Sequence, residues 1–293
     1  MDVRQLEYFL AVVDQGGFHR AAQVLYVAQP SLSQSIRLLE RDLGSELFHR
    51  IGRRVVLTEA GRALVEPAKD VVRGLATARA GVAAVHGLTS GRVEIAAMPS
   101  QAIDPLAAMI GGFTRRYPGV SVSVRAAFTA AQTADMVRTG VVELGLLAST
   151  QPISAPSLEL HPVARQRFVL ITPAEGPFPT GRPVRAEQLA GQRMIVGQRG
   201  TGMREAVDRM LRAGVEVIIA VESEHREAML PLVLDGAGIA VVADSWRGLA
   251  ERVGAWVLDL EPAFYLDVAL VCREGGALTP AAREFLAQAL ADR

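Results

Sequence analysis

The chain has 293 residues, enough for two domains at the usual ~150 residues each, and half of them are hydrophobic. Its formal net charge is zero, so any contact with nucleic acid has to come from a local patch and not from the field of the whole molecule. Cys272 is the only cysteine, which excludes an intrachain disulfide and suits a reducing compartment. No run reaches the ~18 apolar residues of a membrane span. The opening MDVRQLEYF has no charged-then-apolar signal pattern. These features predict a cytoplasmic protein with no membrane partner.

Leu6, Phe9, Leu10 and Val13 lie on one helical face, and Gly16-Gly17 ends a helix expected over residues 2–13. Phe18, Ala21, Ala22 and Leu25 make a second apolar face. The paired alanines let another helix cross closely, and Tyr26 to Ala28 leave room only for a tight turn. Leu32, Ile36, Leu39 and Leu43 recur at helical spacing. Pro30 suits the first turn and Gly44 suits the stop. The opposite face of this third helix carries Gln29, Ser31, Ser33, Gln34 and Arg37. Short or forked hydrogen-bonding groups of this kind are what a helix needs to touch base edges. Two helices joined so tightly read as a helix-turn-helix. Beyond Gly44, two short apolar runs flank Ile51-Gly52-Arg53-Arg54, a basic hairpin tip, or wing, suited to phosphate or the minor groove. The same spacing also occurs in two-helix hairpins of ordinary bundles. Between Pro30 and Arg62 six arginines stand against four acids, so non-specific affinity is expected to be modest without dimerisation.

The ordered residues Ala21-Ala22, Leu25, Ala28-Gln29-Pro30-Ser31-Leu32-Ser33-Gln34, Leu39-Glu40, Leu43-Gly44, Leu47-Phe48, Arg50, Leu57-Thr58 and Ala60-Gly61 carry a dense, ungapped resemblance to the winged helix-turn-helix of LysR-type transcriptional regulators. The resemblance covers roughly the first sixty residues. It implies a DNA-binding domain over residues 1–58 whose contacts to an inverted-repeat operator come from Phe18, Gln29, Pro30, Ser31, Ser33, Gln34, Arg37, Arg50, Arg53 and Arg54. It also implies RNA polymerase as a partner and an assembly of two dimers into a homotetramer.

A long helical pattern runs from Thr58 to about His86. Thr58 suits the N-cap. Leu64, Ala68, Val71, Leu75, Ala78, Val82 and Val85 form an a/d seam. A small winged domain cannot bury a helix about 43 Å long, so the seam predicts a homodimer. The alternative is a helix packed along its own effector domain. Pro67 is expected to kink it. Residues 59–91 therefore read as a dimerisation and linker segment ending in a hinge, GLTSG at 87–91.

From Arg92 onward strands and helices alternate, the α/β signature. Strands are expected at 93–97, 120–124, 141–147, 168–172, 194–196, 217–221, 239–242, 256–258 and 266–272. Helices are expected at 105–117, 129–138, 202–212, 225–234 and 280–291. The resemblance implies a two-lobed, type-2 periplasmic-binding-protein-like regulatory domain over 92–293. Its lobe I is 92–162 with 267–293, and its lobe II is 163–266.

Ligands of open α/β sheets bind beyond the carboxyl ends of the strands. Those places hold Pro99, Ser100 and Gln101, then Gln198, Arg199, Gly200 and Thr201, then Ser223, then Ala243. These are the expected contacts to a small-molecule effector of unassigned chemistry. Gly200-Thr201-Gly202 beside Arg199 would suit a carboxylate or phosphate, and it is also plain turn chemistry. Asp244 puts an acid in the same place. No metal-spaced His/Cys cluster, GxSxG or Walker-type loop occurs, and the five histidines are scattered. An enzyme is therefore not expected, nor any cofactor or metal. The leading expectation is a ligand-responsive transcription regulator. The alternative is a cytoplasmic solute-binding or sensor protein whose N-terminal helices serve only oligomerisation.

Overall fold

A computed structural model describes the backbone of residues 1–51, 54–83, 90–174, 176–179 and 181–291, with side chains throughout except at positions 50, 51, 54, 80 and 83. The chain divides near residue 87 into two compact units.

The first unit opens with α1 (Val3–Gln15). The Asp2 carboxylate accepts from the Gln5 backbone N–H at 2.9 Å, and the Gln5 side chain accepts from Asp2 N–H at 2.8 Å. This reciprocal cap satisfies two orphan donors. α2 (Phe18–Val24) and α3 (Gln29–Leu43) follow, and Gly44 closes α3 in the left-handed conformation. Leu6, Phe9, Val12, Ala21, Ala22, Leu32, Ile36 and Leu39 form the buried core. Leu43 departs from the expected apolar face. It is 38% exposed, because the last turn of α3 runs past that core.

Strands β1 (Phe48–Ile51) and β2 (Arg54–Leu57) pair antiparallel, from Phe48↔Leu57 to Ile51↔Arg54. The hairpin ends where α4 (Glu59–Ala83) begins. Thr58 Oγ1 accepts from Gly61 N–H at 2.8 Å and donates to the Glu46 carbonyl at 2.7 Å. A Cβ on Gly61 would lie 2.2 Å from the Leu47 carbonyl oxygen. Only glycine lets the helix sit this close. The sequence reading expects Pro67 to kink α4, and the helix continues through it. The seam divides in two. Leu64 and Ala68 pack, with Ala60, Val65 and Val72, onto the core of their own unit. Leu75 is half-buried, while Val71, Ala78 and Val82 are exposed. The first turns of the helix rest on α1, and the exposed seam positions are Val71, Ala78 and Val82. Residues 84–89, with Val85 and most of the expected hinge, lie outside the described residues.

The second unit is built on one sheet in the order β4-β3-β5-β12-β6-β10-β8-β9, with β11 on β6 and β7 on β11. Its strands are β3 (Gly91–Ala97), β4 (Val120–Ala126), β5 (Leu144–Ser149), β6 (Leu158–Thr172), β7 (Val184–Arg185), β8 (Arg193–Gly197), β9 (Ile218–Ser223), β10 (Ile239–Ala243), β11 (Trp256–Glu261) and β12 (Tyr265–Arg273). Helices α5 (Pro99–Gln101, one turn), α6 (Ala107–Arg116), α7 (Ala130–Arg138), α8 (Gly202–Arg212), α9 (Met229–Leu234), α10 (Arg247–Arg252) and α11 (Pro280–Ala291) connect or cover them. β3, β4 and β5 run parallel, as do β8, β9 and β10. β6 joins the two sets. Residues 158–167 pair with β12, and residues 168–172 pair with β10 and β11.

Several expectations need correction. The strand expected at 168–172 starts ten residues earlier, at Leu158; Pro162 and the polar residues between hid it. The strand expected at 141–147 is Leu144–Ser149. The helix expected at 225–234 is a 3-10 turn, Arg226–Ala228, followed by α9. Helix α10 and the two-residue β7 have no counterpart in the sequence reading.

Candidate functional site

Two places gather the expected residues. On α3, Gln29, Pro30, Ser31, Gln34 and Arg37 are exposed, over Leu32, Ile36 and Leu39 beneath. Ser33 departs from the reading: it is 7% exposed, since position 33 turns inward beside Ile36. It lines a groove with Phe18, Arg37, Phe48 and His49. Phe18 is half-buried, its ring edge-on to Phe48 at 5.5 Å, and Phe48 in turn packs at a tilt against Phe9 at 5.4 Å. Phe18 therefore fixes α2 against the hairpin. Glu40 Oε1 accepts from Leu47 N–H at 2.8 Å, so this acid anchors the hairpin. Arg53, with Gly52, lies outside the described residues, as do the side chains of Arg50 and Arg54. The backbone places Arg50 near the end of β1 and Arg54 at the start of β2.

The second place is at the strand ends. β3 lies between β4 and β5, and β8 lies between β9 and β10. The chain reverses its lateral course at both, and such switch points open crevices. After β3, Pro99 is half-buried at the start of α5, Ser100 is 2% exposed and Gln101 is 1% exposed. Ser100 Oγ accepts from Arg226 Nη1 at 3.0 Å and from Trp246 Nε1 at 3.4 Å. One hydroxyl thus ties the end of β3 to the ends of β9 and β10. Gln101 Nε2 donates to Gln166 Oε1 at 3.4 Å, and Gln166 Nε2 donates to the Asp104 carbonyl at 2.9 Å and Oδ2 at 3.1 Å.

Arg226 is 5% exposed and has no carboxylate partner among the described residues; burial pushes its guanidinium down to about 10. Its Nη2, like Gln101 Oε1, is buried without a hydrogen bond among the described residues. Arg204 is a contrast. It is equally buried, yet Asp208 lies at 2.7 Å and Glu222 at 2.8 Å, and their hydrogen bonds, Asp208 first, hold its pKa up.

The other expected contacts are less available. Thr201 is buried, but its hydroxyl donates to the Gln198 carbonyl at 2.8 Å and accepts from Arg204 N–H at 3.4 Å, capping α8. A Cβ on Gly202 would press Leu266 Cδ1 at 3.0 Å, so this glycine serves packing. Gln198 is half-buried, and Arg199 and Gly200 are exposed. Ser223 Oγ is engaged with His225 N–H at 3.1 Å and the His225 carbonyl at 3.2 Å. Ala243 is buried. Asp244 pairs with Arg247 at 2.7 Å, which also reaches Asp259 at 2.8 Å. Sequence reasoning missed Arg226, Trp246 and Gln166, because a buried polar residue in an irregular turn or a crossing strand leaves no periodic trace.

The fold also assembles three donor atoms that are scattered in sequence. Register Glu159↔Cys272 brings the Cys272 thiol 3.8 Å from Glu159 Oε2 and 3.9 Å from His161 Nε2. Burial, and then the Glu159 charge, push the thiol up to about 11. It stays protonated at neutral pH and serves as a hydrogen-bond donor.

Two family models match. Residues 3–62 match the bacterial regulatory helix-turn-helix protein of the lysR family, and residues 86–292 match the LysR substrate binding domain. The chain belongs to the LysR family. A probable RuBisCO transcriptional regulator of Trichormus variabilis is 31% identical over 263 residues, covering 88% of this chain and 77% of that one. Full-length OxyR from Pseudomonas aeruginosa, a single-residue variant, aligns at TM-score 0.76 with 23% identity, over 99% of this chain and 94% of that one. Full-length CbnR complexed with its target DNA aligns at 0.71 with 22% identity, over the whole of both chains. This LysR-family protein is thus a DNA-binding transcriptional regulator with an effector-binding domain. Among the described residues no helix is long and apolar enough to cross a membrane.

Proposed function

We propose that α3 enters the major groove of an inverted-repeat operator, with Gln29, Ser31, Gln34 and Arg37 toward the base edges. Pro30 starts the helix, Ser33 and Phe18 hold its depth, and Arg50, Arg53 and Arg54 of the hairpin clamp phosphate or the minor groove. The observation that carries this reading is the exposed polar face of α3 standing over a buried Leu32-Ile36-Leu39 stripe. The complex of CbnR with its target DNA supports it. Residues 1–58 are the reading domain and 59–91 the linker. Val71, Leu75, Ala78 and Val82 supply the self-pairing surface of a dimer, with Leu64 and Ala68 bracing the helix at its root. Two paired heads address half-sites about 34–36 Å apart. Two dimers form a tetramer that works with RNA polymerase in the cytoplasm.

Residues 92–293 form the effector domain, with lobe I at 92–162 and 267–293 and lobe II at 163–266. The effector sits at the switch-point crevice, where Ser100 and Gln101 meet the loops after β8, β9 and β10. Its binding shifts one lobe against the other; a coupling of about 1–3 kcal/mol suffices to reset DNA affinity. The protein is not an enzyme in this reading, and it needs no cofactor.

The test is binding of the full chain to its own upstream intergenic DNA. Gln34→Ala is expected to erase sequence preference, and Arg53→Ala to weaken all sequences alike and flatten the salt dependence. Unchanged binding in both variants removes the assignment.

A further inference from the structure

The crevice contains a cation that no carboxylate among the described residues answers. Lys and Arg side chains enter interiors when paired or hydrogen-bonded. Arg204 of the same unit, 4% exposed, obeys this, with carboxylates at 2.7 and 2.8 Å. Arg226 does not. It is 95% removed from solvent by its 5% exposure, donates to the neutral Ser100 hydroxyl through Nη1, and leaves Nη2 without an acceptor among the described residues. The fixed Trp246 N–H on the same hydroxyl keeps Ser100 from turning away. A second unmet group lies one residue along. Asp104 fixes the orientation of Gln166 by taking both of its donated bonds. The Gln166 oxygen therefore faces Gln101 and claims the Gln101 NH2, so the amide of Gln101 cannot flip, and its oxygen is left buried without a donor. The crevice thus lacks one acceptor of negative character and one donor.

We infer that the effector of this regulator is a small organic anion that places a carboxylate or phosphate oxygen on Arg226 Nη2 and an O–H or N–H group on Gln101 Oε1. The inference rests on the effector reading above and adds the ligand's chemistry to it. Arg226 supplies charge recognition, as guanidinium groups do for oxyanions. Gln101 separates hydroxy or amino acids from plain ones, because a buried acceptor left unmet penalises the ligand that lacks the donor. Asp244 is drawn onto Arg247 at 2.7 Å, a guanidinium it shares with Asp259 at 2.8 Å, so its charge is partly offset.

The test titrates the full-length protein by calorimetry and thermal shift with four probes. Glycerate and glycerol 3-phosphate carry the anion and hydroxyls, acetate carries the anion alone, and glyceramide is the neutral counterpart of glycerate. Glycerate or glycerol 3-phosphate is expected to bind, and which of them binds better assigns carboxylate or phosphate. Acetate is expected to bind at least tenfold more weakly, and glyceramide not at all. Arg226→Met is expected to abolish anion binding while the unliganded protein melts at the same temperature or higher. Arg226→Lys is expected to retain part of the binding. Gln101→Met is expected to narrow the gap between glycerate and acetate. Glyceramide binding as tightly as glycerate, anion binding that survives Arg226→Met, or no binding of either hydroxylated anion overturns the inference. Operator binding in the presence of the bound anion tells the two readings apart. Arg226-dependent binding without any change at the operator keeps the anion site and removes its effector role. An operator response to glycerate that survives Arg226→Met keeps the effector role and removes Arg226.

Discussion

The outer face of α3 and the crevice at the ends of β3, β8, β9 and β10 are both polar, and they are polar in opposite ways. On α3 Gln29, Ser31, Gln34 and Arg37 stand exposed above an apolar stripe, and among the described residues no hydrogen bond or ion pair engages them. In the crevice they are buried and mostly spent on one another: Thr201 on a helix cap, Ser223 on a turn, Ser100 on two donors. An exposed group is free for a partner at little cost to the fold. A buried group has usually been claimed, so the few left unclaimed carry the information. The same distinction sorts the family's N-terminal motif. Glu40, Gly44, Leu47, Phe48, Thr58 and Gly61 cap, stack and close the architecture, while Gln29, Ser31, Gln34 and Arg37 are exposed and take no part in it.

This contrast can be broken by substitution. The largest effect is expected from Ser100→Ala, which leaves the buried Arg226 and Trp246 donors without their shared acceptor. It should cost about 3 kcal/mol of stability, read as a lowered urea midpoint of the second unit. A stable Ser100→Ala variant would mean that those donors are not committed to Ser100. Gln34→Ala should leave the melting temperature unchanged and lose about 1–3 kcal/mol of base discrimination, measured by competition between operator and scrambled DNA. Should it destabilise the fold instead, the α3 face is structural after all. Thr58→Ala should cost about 1 kcal/mol through loss of the α4 cap, visible in the thermal midpoint of the first unit. The smallest change is expected from Glu66→Gln. Its exposed pair with Lys69 at 2.9 Å should be worth no more than about 0.5 kcal/mol, and a larger shift would assign the pair a role beyond the helix surface.

How much was legible follows from the same physics. α8 and α11 were read to the residue, Gly202–Arg212 and Pro280–Ala291, because caps and prolines mark helix ends locally. The three N-terminal helices and the hairpin were legible because apolar spacing and Gly16 and Gly44 leave few alternatives. The first part of β6 was not, since its residues 159–167 include Pro162, His161 and two arginines and alternate only weakly. In the crevice, Ser100 and Gln101 were found by their place after a parallel strand. Arg226 was not, because nothing local distinguishes a buried arginine from a solvated one; only the third dimension shows what it lacks. The α4 seam was legible as a period but not as an allocation. The heptad stripe and the face resting on α1 coincide for its first turns, and only packing separates them.

The fifteen-residue strand β6 limits how the second unit can move. One ribbon, its register shifting opposite Val268 and Ala269, is stitched to β12 along its first stretch and to β10 and β11 along its last. Sliding either half lengthwise would tear a ladder of main-chain bonds, whereas torsion about the ribbon's own axis strains each bond only slightly. Twist about β6 is therefore the cheaper motion of this unit, an angle and not a displacement.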